Sequence, residues 1–372
     1  MRVILDVSAV PARPAGAGVY ICALASGLAA QTDVELHLAT RRGDGERWST
    51  LAPGAAIHPV APDSRARRIA WEQAGARKLA TKVAPDVWHG PHYTMPWRLG
   101  VPAVVTVHDL TFFDHPEWHE RKKVPFFRQM IRTSARHAAA IVCVSEYTAR
   151  RLRAVAPPHG PITVVPHGVD HDRFSPEGDE VDDLARLASH GVTPPYVAFG
   201  PATLEPRKGI PTLLAAFARV APRHPDLRLA LVGGDGWGVS EVRDAIAASG
   251  VATHVVRTGY VDHDVVPALY RRSAAVAYPT LEEGFGLPAL EALAAGAPLV
   301  TTTGSAPEEI VGRAALTVPP GDRDALAAAL RTLLEDGSRA AALRSAGPEQ
   351  ARPFTWARSV ERHVVTYRDL IA

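Results

Sequence analysis

The chain has 372 residues and a formal net charge of +2 at pH 7, with 47% hydrophobic and 22% charged residues. At roughly 100–200 residues per domain, this length predicts two domains, each with enough apolar residues for a core. The balanced charge argues against a nucleic-acid-binding protein, because such proteins combine an excess of Lys and Arg with exposed aromatic residues.

The chain begins with MRVILDVSAV, a short apolar stretch that Asp6 interrupts. This pattern predicts a first β-strand rather than a signal peptide, and no apolar run approaches the ~18 residues that cross a bilayer. The two cysteines, Cys22 and Cys143, lie far apart in the sequence. Their separation indicates a reducing compartment rather than a disulfide scaffold. We therefore expect a soluble cytoplasmic protein.

Short apolar runs alternate with helical patterns along the whole chain. Runs rich in Val and Ile, without polar alternation, predict strands that are buried on both faces of a parallel sheet. The first series of predicted strands is 2–7, 86–90, 103–109, 139–145 and 162–168, and the second is 196–200, 227–233, 253–260, 274–279 and 297–302. Strands that alternate with helices predict doubly wound α/β domains.

The two series are separated by a polar stretch that contains Pro, Gly and Asp, residues 171–194. This stretch predicts a boundary between two Rossmann-like halves. The chain ends in a predicted helix, 355–371, whose pattern does not assign it to either half. Ligands of open parallel sheets bind beyond the carboxyl ends of the strands, so two sheets whose ligand edges face each other would form an interdomain active site.

Two glycine-rich turns follow predicted strands, PAGAGVY at 14–20 and GGDGWG at 233–238. Glycine lets a ligand approach the backbone closely, and Gly16 and Gly18 are the candidates in the first turn. That turn lacks the third glycine and the downstream acidic residue of a dinucleotide fingerprint, which disfavours a dehydrogenase. Each turn is equally compatible with a plain tight connection.

His108 and Asp109 follow a predicted strand in VTVHDLTFF, residues 105–113. A histidine there can donate a hydrogen bond to a sugar hydroxyl or to developing negative charge. A structural role is the alternative, because the chain contains 16 histidines. The position at a strand end favours function, and His92 is a second, poorer candidate on the acceptor side.

The segment 121–153 has nine basic residues and one acidic residue, Glu146, and the segment 65–82 has six basic residues and Glu72. Two interpretations remain open for both segments. They are solvated helix faces, or they form a surface that attracts anionic lipid or a phosphorylated acceptor.

The segment LEEGFGLPALEALAAG, residues 281–296, predicts an anion site. Pro288 is suited to the first position of a helix, whose N-terminus favours phosphate. Glu283 before the helix and Glu291 in its first turn can accept hydrogen bonds from vicinal hydroxyls of a sugar or a ribose. Arg207 and Lys208 at an earlier strand-to-helix turn can neutralise a diphosphate. Together these residues match the order of groups in a nucleotide-sugar.

Three Asp-x-Asp strings occur, at 170–172, 262–264 and 322–324. Such strings can hold a divalent metal beside a diphosphate. They lie in unrelated contexts, and the predicted anion site already contains cations and a helix N-terminus. We therefore predict that the protein needs neither a metal nor a cofactor.

In their order along the chain, these motifs resemble those of the retaining GT-B glycosyltransferases of glycosyltransferase family 4. The resemblance covers nearly the whole chain and depends on GAGVY (16–20), VHDLTFF (107–113), VSEYTARRL (144–152), VVPHGVD (164–170), LEPRKG (204–209) and EEGFGLPALEALAAG (282–296). The last of these contains the Glu-x7-Glu pattern of the family. The chain looks most like the bacterial mannosyltransferase branch, which builds lipopolysaccharide, capsule or glycolipid.

The resemblance implies an α/β fold of the GT-B type, with two doubly wound Rossmann-like domains that face an interdomain cleft. The first domain, 1–180, would bind the acceptor and would be joined by the terminal helix, about 355–372. The second domain, 190–354, would bind the nucleotide-sugar.

It also implies roles for single residues at the donor. Glu283 would hold hydroxyls of the donor sugar and Glu291 those of the ribose, while Lys208 and Arg207 would bind the diphosphate. His108 would contact the transferred sugar. The implied backbone contacts are those of Phe285, Gly286 and Leu287 with the diphosphate, of Gly16 and Gly18 with the phosphate from the first domain, and of Val261 with the base.

The implied reaction is transfer of a hexose from a nucleotide diphosphate to an acceptor hydroxyl with retained anomeric configuration. The best match is mannose from GDP-mannose, in synthesis of cell-envelope polysaccharide or glycolipid. The alternatives are a UDP-sugar-dependent glycosyltransferase that acts on a small metabolite, a GT-B sugar-nucleotide epimerase, a pyridoxal-dependent phosphorylase and a non-catalytic sugar-nucleotide binding protein. The expected acceptor is a saccharide, a glycolipid or a small molecule, and peripheral association with the anionic inner face of the cell membrane is a further expectation.

Overall fold

The structure is a computed structural model that describes residues 1–200, 203–236, 238–262 and 264–372. Three sequence motifs therefore lie partly outside the described residues: the Asp-x-Asp string at 262–264, the glycine-rich turn at 233–238 and the turn between Gly200 and Lys208. The chain divides into two compact units, Met1–Gly168 with Trp356–Ala372, and Val169–Thr355.

The first unit contains a fully parallel sheet. Its described strands are β1 (Arg2–Asp6), β2 (Glu35–Arg41), β3 (Ala56–Ala61), β4 (Val87–Gly90), β5 (Ala103–Val107), β6 (Ala140–Cys143) and β7 (Ile162–Val164). Their spatial order is β3-β2-β1-β4-β5-β6-β7, so the order reverses between β1 and β4. Val3 and Leu5 pack into one apolar cluster and Ile4 into another, which is why the apolar run of this strand does not alternate with polar residues.

Helices cover both faces of this sheet. The described helices of residues 1–168 are α1 (Ala17–Ala29), α2 (Gly45–Leu51), α3 (Arg65–Ala74), α4 (Ala76–Val83), α5 (Thr111–Asp114), α6 (Lys123–His137) and α7 (Glu146–Val155). The start of α7 has a local cause, because the Ser145 side chain accepts a hydrogen bond from Thr148 N at 3.0 Å.

The second unit contains another parallel sheet with the same winding. Its described strands are β8 (Tyr196–Phe199), β9 (Arg228–Val232), β10 (Val255–Gly259), β11 (Ala275–Tyr278), β12 (Leu299–Thr302) and β13 (Leu316–Val318). Their order is β10-β9-β8-β11-β12-β13, so the reversal lies between β8 and β11. Both sheets are therefore of the Rossmann type, as predicted.

The described helices of the second unit are α8 (Glu180–Ala188), α9 (Ile210–Val220), α10 (Val239–Ala248), α11 (Val265–Arg271), α12 (Leu287–Ala294), α13 (Ala306–Val311), α14 (Arg323–Glu335) and α15 (Gly337–Ala351). Side-chain caps mark three of their starts, since Asp179 accepts from Asp182 N, Asp322 from Ala325 N and Asp336 from Arg339 N, each at 2.9 Å. A 3-10 turn, Pro206–Lys208, precedes α9.

The terminal helix α16 (Trp356–Ile371) packs in the first unit. Its apolar residues Val360, Val364 and Tyr367 join the core cluster that also contains side chains of α1. The two helices approach closely at Gly27, where a Cβ would lie 2.4 Å from Val360 Cγ2. The alternation of buried and exposed residues along α16 therefore comes from its docking against α1.

The division between the units falls after Gly168, whereas the resemblance implied a first domain of 1–180. Val169 N donates to Phe354 O at 3.0 Å, and the Asp183 carboxylate of α8 accepts hydrogen bonds from Arg271 at 2.7 and 2.9 Å. The polar stretch 171–194 thus belongs to the second unit. Its charges form ion pairs there.

Candidate functional site

In each unit, chemically active side chains follow strands near the point where the strand order reverses. This is the edge at which open parallel sheets bind ligands. Lys208 follows β8 and Glu283 follows β11, and these two strands are neighbours in the second sheet. In the first sheet, His108 follows β5.

Lys208 and Glu283 are 75 positions apart in the sequence and form a hydrogen-bonded ion pair in the second unit. Lys208 is 8% exposed. The Tyr278 hydroxyl donates to the same carboxylate oxygen, Glu283 Oε1, at 2.8 Å, and Thr280 Oγ1 lies 3.4 Å from it. The backbone joins the two segments as well, since Leu281 N donates to Arg207 O at 2.9 Å. The carboxylate is therefore held in one orientation.

Arg207 adds a second cation beside this pair. Its Nε donates to Glu205 Oε2 at 2.7 Å, and its Nη1 lies 3.8 Å from Glu283 Oε1. Burial alone would raise the pKa of Glu283, but the charges of Lys208 and Arg207 outweigh burial and leave the pKa below its ordinary value. Burial and the charge of Arg207 lower the pKa of Lys208, and the charge of Glu283 partly offsets this decrease. The group presents cations and an ionised carboxylate side by side.

The helix after Glu283 begins one residue earlier than predicted. α12 starts at Leu287, so Pro288 is its second residue rather than its first. Gly286 precedes the helix with a φ of +99°, a conformation that favours glycine, and a Cβ there would lie 3.0 Å from Pro307 Cγ. In the described part of the chain, no side chain caps this helix start. Backbone at Phe285, Gly286 and Leu287 is therefore in the place where a helix N-terminus can bind an anion.

Glu291 was predicted in the first turn of this helix, and that placement was wrong. The first turn of α12 has no acidic residue, and Glu291 begins the second turn. Burial raises the pKa of Glu291 to about 7. The charge of Arg173 and a hydrogen bond with Tyr270 act in the opposite direction and limit this increase. This carboxyl therefore changes its charge near neutral pH.

His108 lies in the first unit with 8% exposure. Its Nε2 faces the carbonyl oxygen of Pro91 at 2.8 Å, and a carbonyl only accepts, so this nitrogen carries the proton. Burial lowers the pKa of His108, while the Pro91 hydrogen bond and Asp109 oppose it. The neutral ring therefore has Nδ1 as an acceptor, whereas the sequence suggested a hydrogen-bond donor at this position.

The remaining predicted residues lie at the ligand edges of the two sheets. Gly16 precedes α1 with a φ of +50°, and nothing lies within 4 Å of a Cβ built there. A Cβ at Gly18 would lie 3.0 Å from Pro14 Cβ, so a larger residue there would be tightly packed. Val261 follows β10 and is buried. His92 is partly exposed, and desolvation and the charge of His108 lower its pKa to about 3.

Several polar residues at these edges were missed in the sequence. Tyr278 and Thr280 orient Glu283, and their only signal was their position at the end of an apolar run. Asp6 and Glu72 are buried carboxyls of the first unit, with 7% and 3% exposure. Burial and the charge of Asp6 raise the pKa of Glu72 to about 7. A buried helical glutamate has no local sequence signal.

Some basic side chains of the segment 121–153 form contacts within the protein. Lys123 pairs with Glu120, Arg151 pairs with Asp114, and Arg128 Nε donates to Phe112 O at 2.7 Å. The segment also has exposed cations, and four of them, Arg121, Lys122, Arg132 and Arg136, are called the basic surface here. Among the described residues, no helix has the length and apolar character needed to span a membrane, and no cluster of three or more His, Cys, Asp or Glu side chains could hold a metal.

Models of two glycosyltransferase families match most of the chain. Residues 14–173 match the model described as Glycosyltransferase Family 4, and residues 194–336 match the model described as Glycosyl transferases group 1. The first match contains β2 to β7 of the first sheet, and the second contains all six described strands of the second sheet.

Individual relatives agree with these matches. The chain is 30% identical to O-antigen chain mannosyltransferase B of Escherichia coli, over 76% of this chain and 74% of that protein. It is 33% identical to a GDP-mannose-dependent alpha-(1-6)-phosphatidylinositol monomannoside mannosyltransferase of Mycolicibacterium smegmatis, over 60% of each chain. Among solved structures, sucrose-phosphate synthase of Thermosynechococcus elongatus superposes with a TM-score of 0.79 at 22% identity, over 99% of this chain and 98% of that one. This last likeness concerns the fold.

Proposed function

Because this chain belongs to glycosyltransferase family 4 and has the GT-B fold, we propose that it transfers mannose from GDP-mannose to an acceptor hydroxyl with retained anomeric configuration. The acceptor is a saccharide or glycolipid of the cell envelope. The observation that carries the proposal is the meeting of Lys208, Arg207 and Glu283 beside the start of α12. The name of the Mycolicibacterium smegmatis relative supports GDP-mannose and a glycolipid acceptor, and the name of the Escherichia coli relative supports mannose transfer to a polysaccharide.

The chemical step breaks the bond between the sugar C1 and the diphosphate oxygen. The acceptor oxygen forms its bond to C1 on the same face, and its proton passes to the departing diphosphate. Glu283 is assigned to the sugar hydroxyls, so a covalent route through this carboxylate is not proposed. The protein mainly stabilises the charge that develops on the diphosphate, through Lys208, Arg207 and the backbone at the start of α12.

His108 accepts a hydrogen bond from a hydroxyl of the transferred sugar through Nδ1. This direction follows from the proton on Nε2, which the Pro91 carbonyl accepts. Glu291 accepts hydrogen bonds from the ribose hydroxyls, and backbone at Val261 lies against the base. Gly16 and Gly18 are the proposed backbone contacts of the first unit with the phosphate.

The donor is identified by a thermal-shift panel of GDP, UDP, GDP-mannose and UDP-glucose, because a ligand of the folded state raises the apparent Tm. We expect GDP and GDP-mannose to raise it and UDP to raise it less. Incubation with GDP-mannose and a mannoside acceptor should release GDP and yield an α-linked product by NMR. A shift with UDP compounds alone would contradict the donor, and donor turnover without acceptor would indicate an epimerase.

GDP binding should depend on pH through Glu291. Its pKa of about 7 means that the carboxylate, which accepts from both ribose hydroxyls, is the minor form at pH 6 and the major form at pH 8. Affinity should rise about tenfold over this interval if only the ionised form binds. The nucleotide phosphate titrates at about pH 6 as well, so Glu291→Gln is the control. An equal rise in this variant would refute the role of Glu291.

The basic surface should bind anionic membranes. The full chain is expected to float with vesicles of phosphatidylglycerol and phosphatidylcholine and not with phosphatidylcholine alone, because each Lys or Arg near such a surface contributes about 1 kcal/mol. Arg121→Glu with Lys122→Glu should abolish flotation. The same charge change at two exposed residues of the second unit, Arg323→Glu with Arg339→Glu, is the matched control. If both double variants lost flotation equally, the net charge of the protein and not the basic surface would explain membrane binding.

A further inference from the structure

A chain of hydrogen bonds runs through the interior of the first unit and joins α16 to α1 and to two strands. Its side chains are all buried. We call it the hydroxyl–imidazole chain. Its contacts are His363 Nδ1 to Ser359 O at 2.7 Å, His363 Nε2 to Tyr20 Oη at 2.8 Å, Tyr20 Oη to Thr106 Oγ1 at 2.9 Å, Thr106 Oγ1 to His89 Nε2 at 2.8 Å and His89 Nδ1 to Tyr367 Oη at 2.6 Å.

Donor counting sets the direction of the first half of this chain. The backbone oxygen of Ser359 only accepts, so His363 Nδ1 carries a proton and Nε2 of the neutral ring accepts. Tyr20 therefore donates its single hydroxyl proton to His363. The oxygen of Tyr20 must then accept the proton of Thr106.

The second half follows in the same way. The Thr106 hydroxyl donates its only proton to Tyr20, so it accepts a hydrogen bond from His89 Nε2. Nδ1 of the neutral His89 ring then accepts a hydrogen bond from Tyr367. Burial keeps both rings neutral, since it lowers the pKa of His363 to about 4 and the pKa of His89 well below its ordinary value. Every proton in the chain thus has one place, and removal of one hydroxyl leaves buried partners unsatisfied.

Tyr20 connects this chain to His108. The edge of one ring meets the face of the other at a centroid distance of 5.3 Å, and His167 packs against both, at 4.7 Å from Tyr20 and 5.8 Å from His108. Tyr93 contacts His108 edge to face at 5.6 Å. The imidazole is therefore enclosed by rings, and the hydroxyl bonds of Tyr20 hold one of those rings in place.

We propose that Tyr20 is a positioning residue for His108, and that α16 acts through the Tyr20 hydroxyl to hold the imidazole in the orientation that receives the sugar. The inference rests on the proposed contact between His108 and the transferred sugar. The Tyr20 hydroxyl binds one residue of α16 and one of the sheet, so its ring is held at two points. Loss of these bonds lets the ring turn and releases the neighbouring imidazole.

Tyr20→Phe tests the inference because it removes the hydroxyl and keeps the ring. We expect kcat to fall between about tenfold and a hundredfold, as small misplacements do, while the Kd for GDP stays unchanged. His363→Met should have the same effect. His363→Gln should retain most turnover, because its side-chain oxygen can accept the Tyr20 proton near the place of Nε2. If Tyr20→Phe folds poorly, the comparison of His363→Met with His363→Gln still tests the inference.

A double-mutant cycle with His108→Ala separates positioning from general destabilisation. If Tyr20 acts through His108, Tyr20→Phe should lower kcat no further when His108 is already alanine. Additive losses would overturn the inference and leave the proposed function standing. Wild-type turnover in His108→Ala would remove both the sugar contact and the inference, whereas failure of the wild type to transfer mannose would concern the proposed function alone.

Two controls remove buried hydroxyls that do not touch His108. Tyr367→Phe acts at the far end of the same chain, and Tyr196→Phe removes a hydroxyl that donates to Leu269 O at 2.8 Å in the second unit. Both should lower the Tm and leave kcat within about threefold of wild type, since neither ring contacts the imidazole. A loss of kcat in the controls equal to that of Tyr20→Phe would refute a specific role of Tyr20.

Discussion

The Lys208→Ala variant should lose about a hundredfold to a thousandfold in kcat. Removal of one preorganised donor to developing negative charge costs about 2.7–4 kcal/mol of transition-state stabilisation, and Lys208 is the buried cation of the site. The Kd for GDP should rise as well, because the ammonium also attracts the diphosphate in the ground state. Steady-state kinetics and calorimetric titration with GDP measure the two effects.

A stability control is needed because the Lys208–Glu283 pair is buried, with side-chain exposures of 9% and 15%. Breaking such a pair costs about 3–5 kcal/mol in other proteins. Asp183→Asn is the matched control, since Asp183 is 5% exposed in its side chain and pairs with Arg271 and Arg272 away from the site. It should lower the Tm while kcat stays near wild type. Equal losses of kcat in both variants would attribute the Lys208 effect to unfolding.

The Glu283→Gln variant should lose about 10-fold to 150-fold in kcat while it binds GDP as well as the wild type or better. A hydrogen bond to a charged group contributes about 1.5–3 kcal/mol, and the carboxylate is assigned to sugar hydroxyls that GDP lacks. Loss of its negative charge also frees Lys208 to interact with the diphosphate. Glutamine keeps the volume of the side chain and the hydrogen bond from Tyr278.

The two variants are informative as a pair. Lys208→Ala should weaken GDP binding, and Glu283→Gln should affect the reaction of GDP-mannose without weakening GDP. Weakened GDP binding in Glu283→Gln, together with unchanged kcat, would show that the carboxylate organises the nucleotide site and does not contact the sugar.

All ten predicted strands are present, and eight of them are apolar runs that are buried along most of their length, whereas the edge strands β7 and β10 are only partly buried. The strands β2, β3 and β13 were missed. In β2 polar residues such as His37 alternate with leucines, β3 contains Pro59, and β13 is a three-residue edge strand. Local patterns of this kind do not distinguish such strands from loops.

The types of residue at the site could also be read from the sequence, because glycines, a proline at a helix start and cations at a strand-to-helix turn have local causes. Their partners could not. The contact of Lys208 with Glu283 spans 75 positions, and the contact of Tyr20 with His363 spans 343.

The chain order of apolar runs and turns was therefore enough to predict two Rossmann-type sheets, and the ordered motifs carried the resemblance to the family. Three properties depend on burial and on residues far away in the sequence: the pairing of charges, the protonated nitrogen of His108 and the pKa of Glu291. Hydrogen bonds and charges act over a few ångströms of space, so these properties arise when folding brings separated segments together.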